Sequence, residues 1–321
     1  MSDPVRWGIL GAAKFAREQM GPAIHMARGG MLAGLATRSA EKAAAFSDMA
    51  PDLRVFDDYD ALIADPGIDA VYIPLPNHLH VEWAKKAAQA GKHVLCEKPI
   101  ALAASEIDEL IALRDQTGLL VAEAYMIVHH PQWQKAREMV QAGEVGELKH
   151  ASVSFSFNNP DLDNIRNDPE RGGGALRDIG VYAFGGVRFV TGEEPSEILS
   201  SQIDWDHGID ATTHVTAKFP SFMYTGHVSM RASPFQQVVF HGTGGVLRLP
   251  VPFNALSYGQ AEVILQKEHH VQSWRFPGTN QYVRQVEAFN ASMADPASYP
   301  CTLEFVRGTQ AMIDEVYAAA P

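Results

Sequence analysis

The chain is poor in cysteine: 321 residues carry only Cys96 and Cys301. Cys96 closes an apolar run, His93-Val94-Leu95-Cys96, that reads as a buried strand. That usage argues against a disulfide framework and fits a reducing compartment. Basic residues are also scarce, with 26 Lys+Arg against 38 Asp+Glu and a net charge of −12. Nucleic acid calls for a basic face, and an anionic membrane surface attracts basic segments. Neither partner is expected. No apolar stretch reaches the roughly 18 residues of a membrane-spanning helix. Met1–Arg6 is too short for a signal peptide before the first strand, so the expected location is the cytoplasm. Histidines are plentiful, but His78-x-His80, His129-His130 and His269-His270 lack zinc-site spacing, and no metal is expected. A Gly-x-Ser-x-Gly nucleophile motif is missing too.

What is present is 46% apolar residues and length for about two domains. Short apolar runs at Val5–Leu10, Met31–Thr37, Arg54–Phe56, Ala70–Pro74, His93–Cys96 and Leu119–Ala122 alternate with helical spacing at Lys14–Met26, Ala40–Ala50, Tyr59–Ala64, Leu79–Ala90 and Ala104–Thr117. That rhythm predicts βαβ units and a parallel sheet. After about residue 125 it changes. Helices are predicted at Gln132–Gln141 and Leu176–Phe189. Between and after them run strand-like stretches at Leu148–Phe157, Ser196–Trp205, Thr212–Phe219, Met223–Met230, Gln236–Phe240, Val246–Leu249 and Glu262–Gln266. Without regular intervening helices, an antiparallel sheet follows. Helices near Gln281–Met293 and Leu303–Ala318 close the chain. The expected fold class is an α/β Rossmann domain at 1–123, joined to an α+β domain at 124–321 built on a large, mostly antiparallel open sheet. The closing helices are expected to pack back on the first domain.

The first strand ends in Gly11-Ala12-Ala13-Lys14-Phe15-Ala16. Against the dinucleotide pattern G-x-G-x-x-G/A, Gly11 makes the tight turn, Ala13 meets the pyrophosphate and Ala16 packs helix on strand. Only one of the three glycines is kept, so the motif alone is also compatible with an ordinary strand–helix turn. The helix start still offers N–H groups and a positive dipole end to an anion. NAD binders place a carboxylate at the end of the second strand. Here that strand ends Ala36-Thr37-Arg38-Ser39. Arg38 suits a 2′-phosphate, with Thr37 and Ser39 as hydroxyl donors. NADP(H) is therefore favoured over NAD(H), with Lys14 adding positive charge.

Two more strands end in chemistry-bearing loops: Pro74-Leu75-Pro76-Asn77-His78-Leu79-His80 and Glu97-Lys98-Pro99. Further along come Glu123-Ala124-Tyr125, His129-His130-Pro131, Gly172-Gly173-Gly174-Ala175-Leu176-Arg177-Asp178-Ile179-Gly180-Val181-Tyr182 and His241-Gly242-Thr243-Gly244-Gly245. Over essentially its whole length the chain resembles the glucose–fructose oxidoreductase/inositol dehydrogenase (Gfo/Idh/MocA) family. Asp178-x-x-x-Tyr182, where inositol dehydrogenases carry His, is similar to the branch of dihydrodiol and xylose dehydrogenases. So is Asn164-Ile165-Arg166.

The resemblance implies a cis Lys98-Pro99 bond and a catalytic set of Lys98, Tyr182 and Asp178. It implies cofactor contacts from Gly11, Ala12, Ala13, Lys14, Phe15, Thr37, Arg38, Ser39, Leu75, Pro76, Asn77, His80, Glu97 and Lys98. Substrate contacts are expected from Tyr125, His129, Phe157 and Arg166; for His129 a structural role is an equal alternative. The chemistry suits hydride transfer, in which an alcohol must lose a proton to a base and a carbonyl must gain one from an acid. Aldose oxidation at the anomeric carbon is the leading form. Ketosugar reduction and trans-dihydrodiol oxidation are alternatives, and an NADP(H) sensor without chemistry is a non-enzyme alternative. An open sheet leaves a face to cover, and the resemblance implies a homodimer or higher even oligomer.

Overall fold

The short apolar runs of the amino-terminal part become parallel strands in the computed structural model, which describes residues 3–47 and 49–321. The order is β1 (Val5–Leu10), α1 (Gly21–Met26), β2 (Gly30–Ala36), α2 (Ala40–Ser47), β3 (Arg54–Phe56), α3 (Tyr59–Ala64), β4 (Ala70–Ile73), α4 (His80–Gln89), β5 (His93–Cys96), α5 (Ala104–Thr117) and β6 (Val121–Glu123). The strands form one sheet in the order β3-β2-β1-β4-β5-β6, every pair parallel. Ile9, Val71, Tyr72, Val94 and Leu95 are fully buried. Burial on both faces explains why these strands read as continuous apolar runs. The winding reverses between β1 and β4, which opens a crevice at their carboxyl ends, the place where such sheets bind ligands. A π-turn, Ala16–Met20, leads into α1. There Gly21 donates five residues back to Ala16, just before Pro22, which has no N–H to give.

The remaining elements are α6 (Pro131–Gln141), β7 (Leu148–Asn158), α7 (Val181–Thr191), β8 (Glu197–Asp206), β9 (Ile209–Lys218), β10 (Met223–Ser229), β11 (Arg231–Gly242), β12 (Val246–Leu249), β13 (Glu262–Lys267), β14 (His270–Arg275), α8 (Gln281–Ser292) and α9 (Leu303–Ala318). Eight strands pair in the order β14-β13-β12-β11-β7-β10-β9-β8. All these pairs are antiparallel except β7 with β10. The fold class is the expected one. The strand β14 was not expected: its residues are mostly exposed and polar, as an edge strand allows, so no alternation marks it. Along β7, Ala151, Val153 and Phe155 point to the buried face, while Ser152 and Ser154 point to the half-exposed one. On the buried side lie α6 and α7, and α7 is buried from Val181 to Val190.

The chain divides into a first unit, 1–129 with 280–307, and a second, 130–279 with 308–321. The division at 129/130 falls beyond the expected boundary at 123/124. Residues 280–307, expected in the second domain, belong to the first unit. Within that unit α8 packs on the sheet: Trp7 Nε1 donates to Asn290 Oδ1 at 3.0 Å, and the Trp7 and Phe289 rings lie 4.9 Å apart. Contacts nearly three hundred residues apart leave no local sequence signal.

Candidate active site

In the first unit the turn after β1 opens a pocket of about 580 Å³ at the switch point. Of the expected cofactor residues, it is lined by Gly11, Ala12, Ala13, Thr37, Arg38, Ser39 and Leu75. Gly11 has φ +97°, which favours glycine, and a Cβ there would press to 3.2 Å from Leu75 and 3.3 Å from the Tyr59 hydroxyl. Lys14 and Phe15 are exposed at the first helical turn.

Ser39 opens α2, its Oγ accepting the Lys42 N–H at 3.2 Å, and Thr37 Oγ1 accepts the Ser39 N–H at 3.2 Å. Both hydroxyls keep an O–H to donate. Lys42, one turn on, lines the same pocket and was not foreseen. Asp57, Asp58 and Asp60 share its wall, and Asp58 is spent capping α3 through Ala61 N–H at 2.6 Å. A glycine turn left open, with Arg38 and Lys42 beside two hydroxyls and the start of α2, fits a dinucleotide bearing a 2′-phosphate.

Beside this crevice, β5 ends in Glu97 and the half-buried Lys98, and Lys98-Pro99 is cis. The loop is pinned on three sides. Tyr72 on β4 donates to Glu97 Oε1 at 2.5 Å. Glu123, at the end of β6, accepts the Ile100 N–H at 2.8 Å. His80 places Nδ1 2.8 Å from Pro99 O and Nε2 2.7 Å from Leu75 O. His80 is fully buried, and burial lowers its pKa against the pull of those carbonyls. Expected among the cofactor residues, it ties the Leu75 loop to the Lys98 loop. Pro76 and Asn77 are half-buried in the Leu75 loop, Asn77 opening a 3₁₀ turn. Burial pushes Glu123 up to about 7, against the Ile100 N–H and the Lys98 ammonium, with Glu97 raising it further. Tyr282 on α8 sets its ring edge-on to Phe15, 5.5 Å away, and burial next to Glu97 pushes its hydroxyl up to about 12. Tyr72, Glu123 and Tyr282 were not expected at the site.

Tyr125 and His129 sit in the core of this unit, 1% and 4% exposed. Tyr125 packs against Phe305, and His129 Nε2 lies 3.1 Å from the Tyr299 hydroxyl. Burial drops His129 to about 3, so it is neutral.

In the second unit the helix expected at Leu176–Phe189 begins with a π-turn, Leu176–Gly180, that carries Asp178. Such insertions widen a helix and recur at functional sites. Tyr182 follows on α7, 7% exposed, among aromatic rings: Phe253 at 5.7 Å and Phe155 at 6.2 Å. Phe157, on the same face of β7 as Phe155, is half-buried. Arg166 Nε pairs with Asp178 Oδ2 at 2.8 Å; the Arg166 side chain is 46% exposed, that of Asp178 14%. Among the described residues no group of three His, Cys, Asp or Glu side chains is arranged to hold a metal ion. Among the described residues no helix is long and apolar enough to cross a membrane.

Residues 5–125 match the family model described as an oxidoreductase family with an NAD-binding Rossmann fold, and residues 133–248 match the GFO/IDH/MocA C-terminal domain. An uncharacterized oxidoreductase of Rhizobium meliloti is 38% identical over 99% of this chain and 97% of its own. A D-xylose 1-dehydrogenase (NADP(+)) of Haloferax volcanii is 32% identical over 98% of this chain and 97% of its own. Among solved structures, a 3-ketoreductase from Actinomadura kijaniata in complex with NADP and TDP-benzene superposes with a TM-score of 0.91. It shares 26% identity over 99% of this chain and 98% of its own. The chain belongs to the GFO/IDH/MocA oxidoreductase family.

Proposed function

We propose that the chain is an NADP(H)-dependent dehydrogenase or reductase of a sugar or sugar-like polyol, with oxidation of an aldose at its anomeric carbon as the leading reaction. The observation that carries this reading is the crevice of the first unit. It has two cations and two hydroxyls at the end of β2, and a lysine on a loop pinned from three sides at the end of β5. NADP bound there supplies the hydride acceptor or donor. Arg38 and Lys42 hold the 2′-phosphate, and Glu97 and the Leu75 loop flank the nicotinamide end. Lys98 hydrogen-bonds the reacting oxygen and stabilises its charge. Tyr182 relays the hydroxyl proton, and Asp178, braced by Arg166, orients the polyol. The Haloferax relative's name favours the aldose form. The Actinomadura relative keeps ketosugar reduction as the second form. A sensor without chemistry has no use for an intact Lys98, Asp178 and Tyr182.

The test is a screen of pentoses, hexoses and anhydrosugars with NADP⁺ and NADPH, read at the nicotinamide absorbance band. Turnover of an aldose with NADP⁺ is expected; no turnover on any of them overturns the reading. We further propose a homodimer through the half-exposed face of the large sheet. Its centre offers His150, Ser152, Ser154, Thr216, Thr225 and Gln237 without a carboxylate, although the chain carries −12 overall. Depletion of charged residues marks interface cores. Light scattering should give twice the chain mass, and a monomer overturns the pairing.

A further inference from the structure

The glycine run before Asp178 is enclosed by a side chain from β9. Gly174 has φ +126°, and a Cβ there would collide with the Asp210 carboxylate. Asp210 is 1% exposed. Its Oδ2 accepts the Leu176 N–H at 2.6 Å, the first N–H of the π-turn that carries Asp178. Its Oδ1 accepts the Tyr317 hydroxyl at 2.7 Å, from the last turn of α9. Helix starts leave N–H groups without intrahelical partners, and a buried carboxylate there fixes where the helix begins. Tyr317 is itself held, stacked on Trp205 at 6.2 Å and with the Arg177 guanidinium 5.5 Å from its ring. From the other side, Arg166 O accepts the Gly174 N–H at 3.0 Å while its guanidinium holds Asp178.

We propose that Asp210, backed by Tyr317, is a positioning residue for the reaction: it fixes the start of the π-turn, and thereby the places of Asp178 and Tyr182. The inference rests on the reading of those two residues given above. It assigns to the end of α9 a part in activity that a merely structural carboxylate would not have. A displacement of about 1 Å at reacting groups lowers rate by about 100-fold, far more than it changes ground-state binding.

The full chain and its Asp210→Ala, Asp210→Asn, Tyr317→Phe and Asp210→Ala/Tyr317→Phe variants are compared with NADP⁺ and the best substrate of the screen. Circular dichroism confirms folding at the assay temperature. Asp210→Ala should lower kcat about 10- to 100-fold, with KM for substrate changed less than about threefold. NADPH affinity, read by fluorescence titration, should stay within about twofold, because the cofactor residues lie in the first unit. Asp210→Asn keeps an oxygen for the Leu176 N–H and should recover most of kcat. Tyr317→Phe should cost a few-fold alone and nothing further on top of Asp210→Ala, since it acts through that carboxylate. Folded Asp210→Ala or Tyr317→Phe with the parent kcat, a raised KM at unchanged kcat, or an additive double variant each overturn the proposal. If Asp210→Ala does not fold, Tyr317→Phe decides: a few-fold loss of kcat at unchanged KM is expected, and the parent kcat overturns the proposal. Tyr182→Phe in the same assay separates the two readings. If it keeps full kcat, or if the parent turns nothing over, the underlying reading fails. If it loses kcat while Asp210→Ala and Tyr317→Phe do not, only this inference fails.

Discussion

Each unit holds its candidate reactive segment with one buried carboxylate. In the first, Glu123 takes the Ile100 N–H two residues beyond Lys98. In the second, Asp210 takes the Leu176 N–H two residues before Asp178. The surroundings differ. Glu123 shares its site with the Lys98 ammonium, and with Glu97, Cys96 and the Tyr299 hydroxyl. Asp210 faces the phenol of Tyr317 and the Arg177 guanidinium. Burial dominates in both, lifting Glu123 to about 7 and Asp210 to about 6. One anchor thus touches the electrostatics of a reacting lysine. The other acts on the geometry of a helix start.

The comparison breaks first at the groups being anchored. Lys98→Ala should lower kcat by about 1,000-fold, within the range of a lost proton-handling group, and leave NADPH affinity nearly unchanged. Stopped-flow or steady-state rates on the best substrate check it; a loss under about tenfold removes Lys98 from the chemistry. Next comes the cofactor end of the same crevice. Arg38→Ala should raise KM for NADP⁺ about 10- to 100-fold and leave NAD⁺ untouched, the loss of one or two charge-assisted hydrogen bonds. Lys42→Ala should do the same more weakly. Equal effects on both cofactors would show that neither side chain reads the 2′-phosphate.

Much of this was legible in the residues, for physical reasons. Strands buried on both faces write themselves as apolar runs, so β1, β4 and β5 stood out, and so did the loops at their ends. Glu97-Lys98-Pro99 and Asp178-x-x-x-Tyr182 are local motifs and need no knowledge of the fold. Their supports are not local. Tyr72 reaches Glu97 from the neighbouring strand, Tyr282 reaches Phe15 from a helix that closes the chain, and Asp210 and Tyr317 meet across 107 positions. Only topology brings such partners together, and a lone buried Asp such as Asp210 carries no motif. His80 belongs with them: a histidine in a cofactor loop invites a ligand role, and its bridge between two carbonyls, from Leu75 and Pro99, is not written in the local sequence.

The smallest effect tests the two carboxylates directly, through stability. A carboxyl whose folded pKa is raised binds its proton more tightly in the folded state than in the unfolded one. Its contribution is therefore fully present below the unfolded value and is lost as pH rises through the folded value. For Glu123 the window runs from 4.5 to about 7, for Asp210 from 3.8 to about 6. At 1.36 kcal/mol per unit, each window spans about 3 kcal/mol. Glu123→Gln keeps an acceptor for Ile100 N–H and removes the titration. Its Tm should fall less than the parent's between pH 5 and pH 7.5, by several degrees. Asp210→Asn should flatten the lower window, so its Tm should already diverge from the parent's trend between pH 4 and pH 6. Thermal melts by circular dichroism across that range check both. Parallel curves for parent and Glu123→Gln would mean that the Lys98 ammonium already holds Glu123 ionised throughout. The first unit would then carry a fixed ion pair, where the second carries a neutral anchor that charges only as the pH rises.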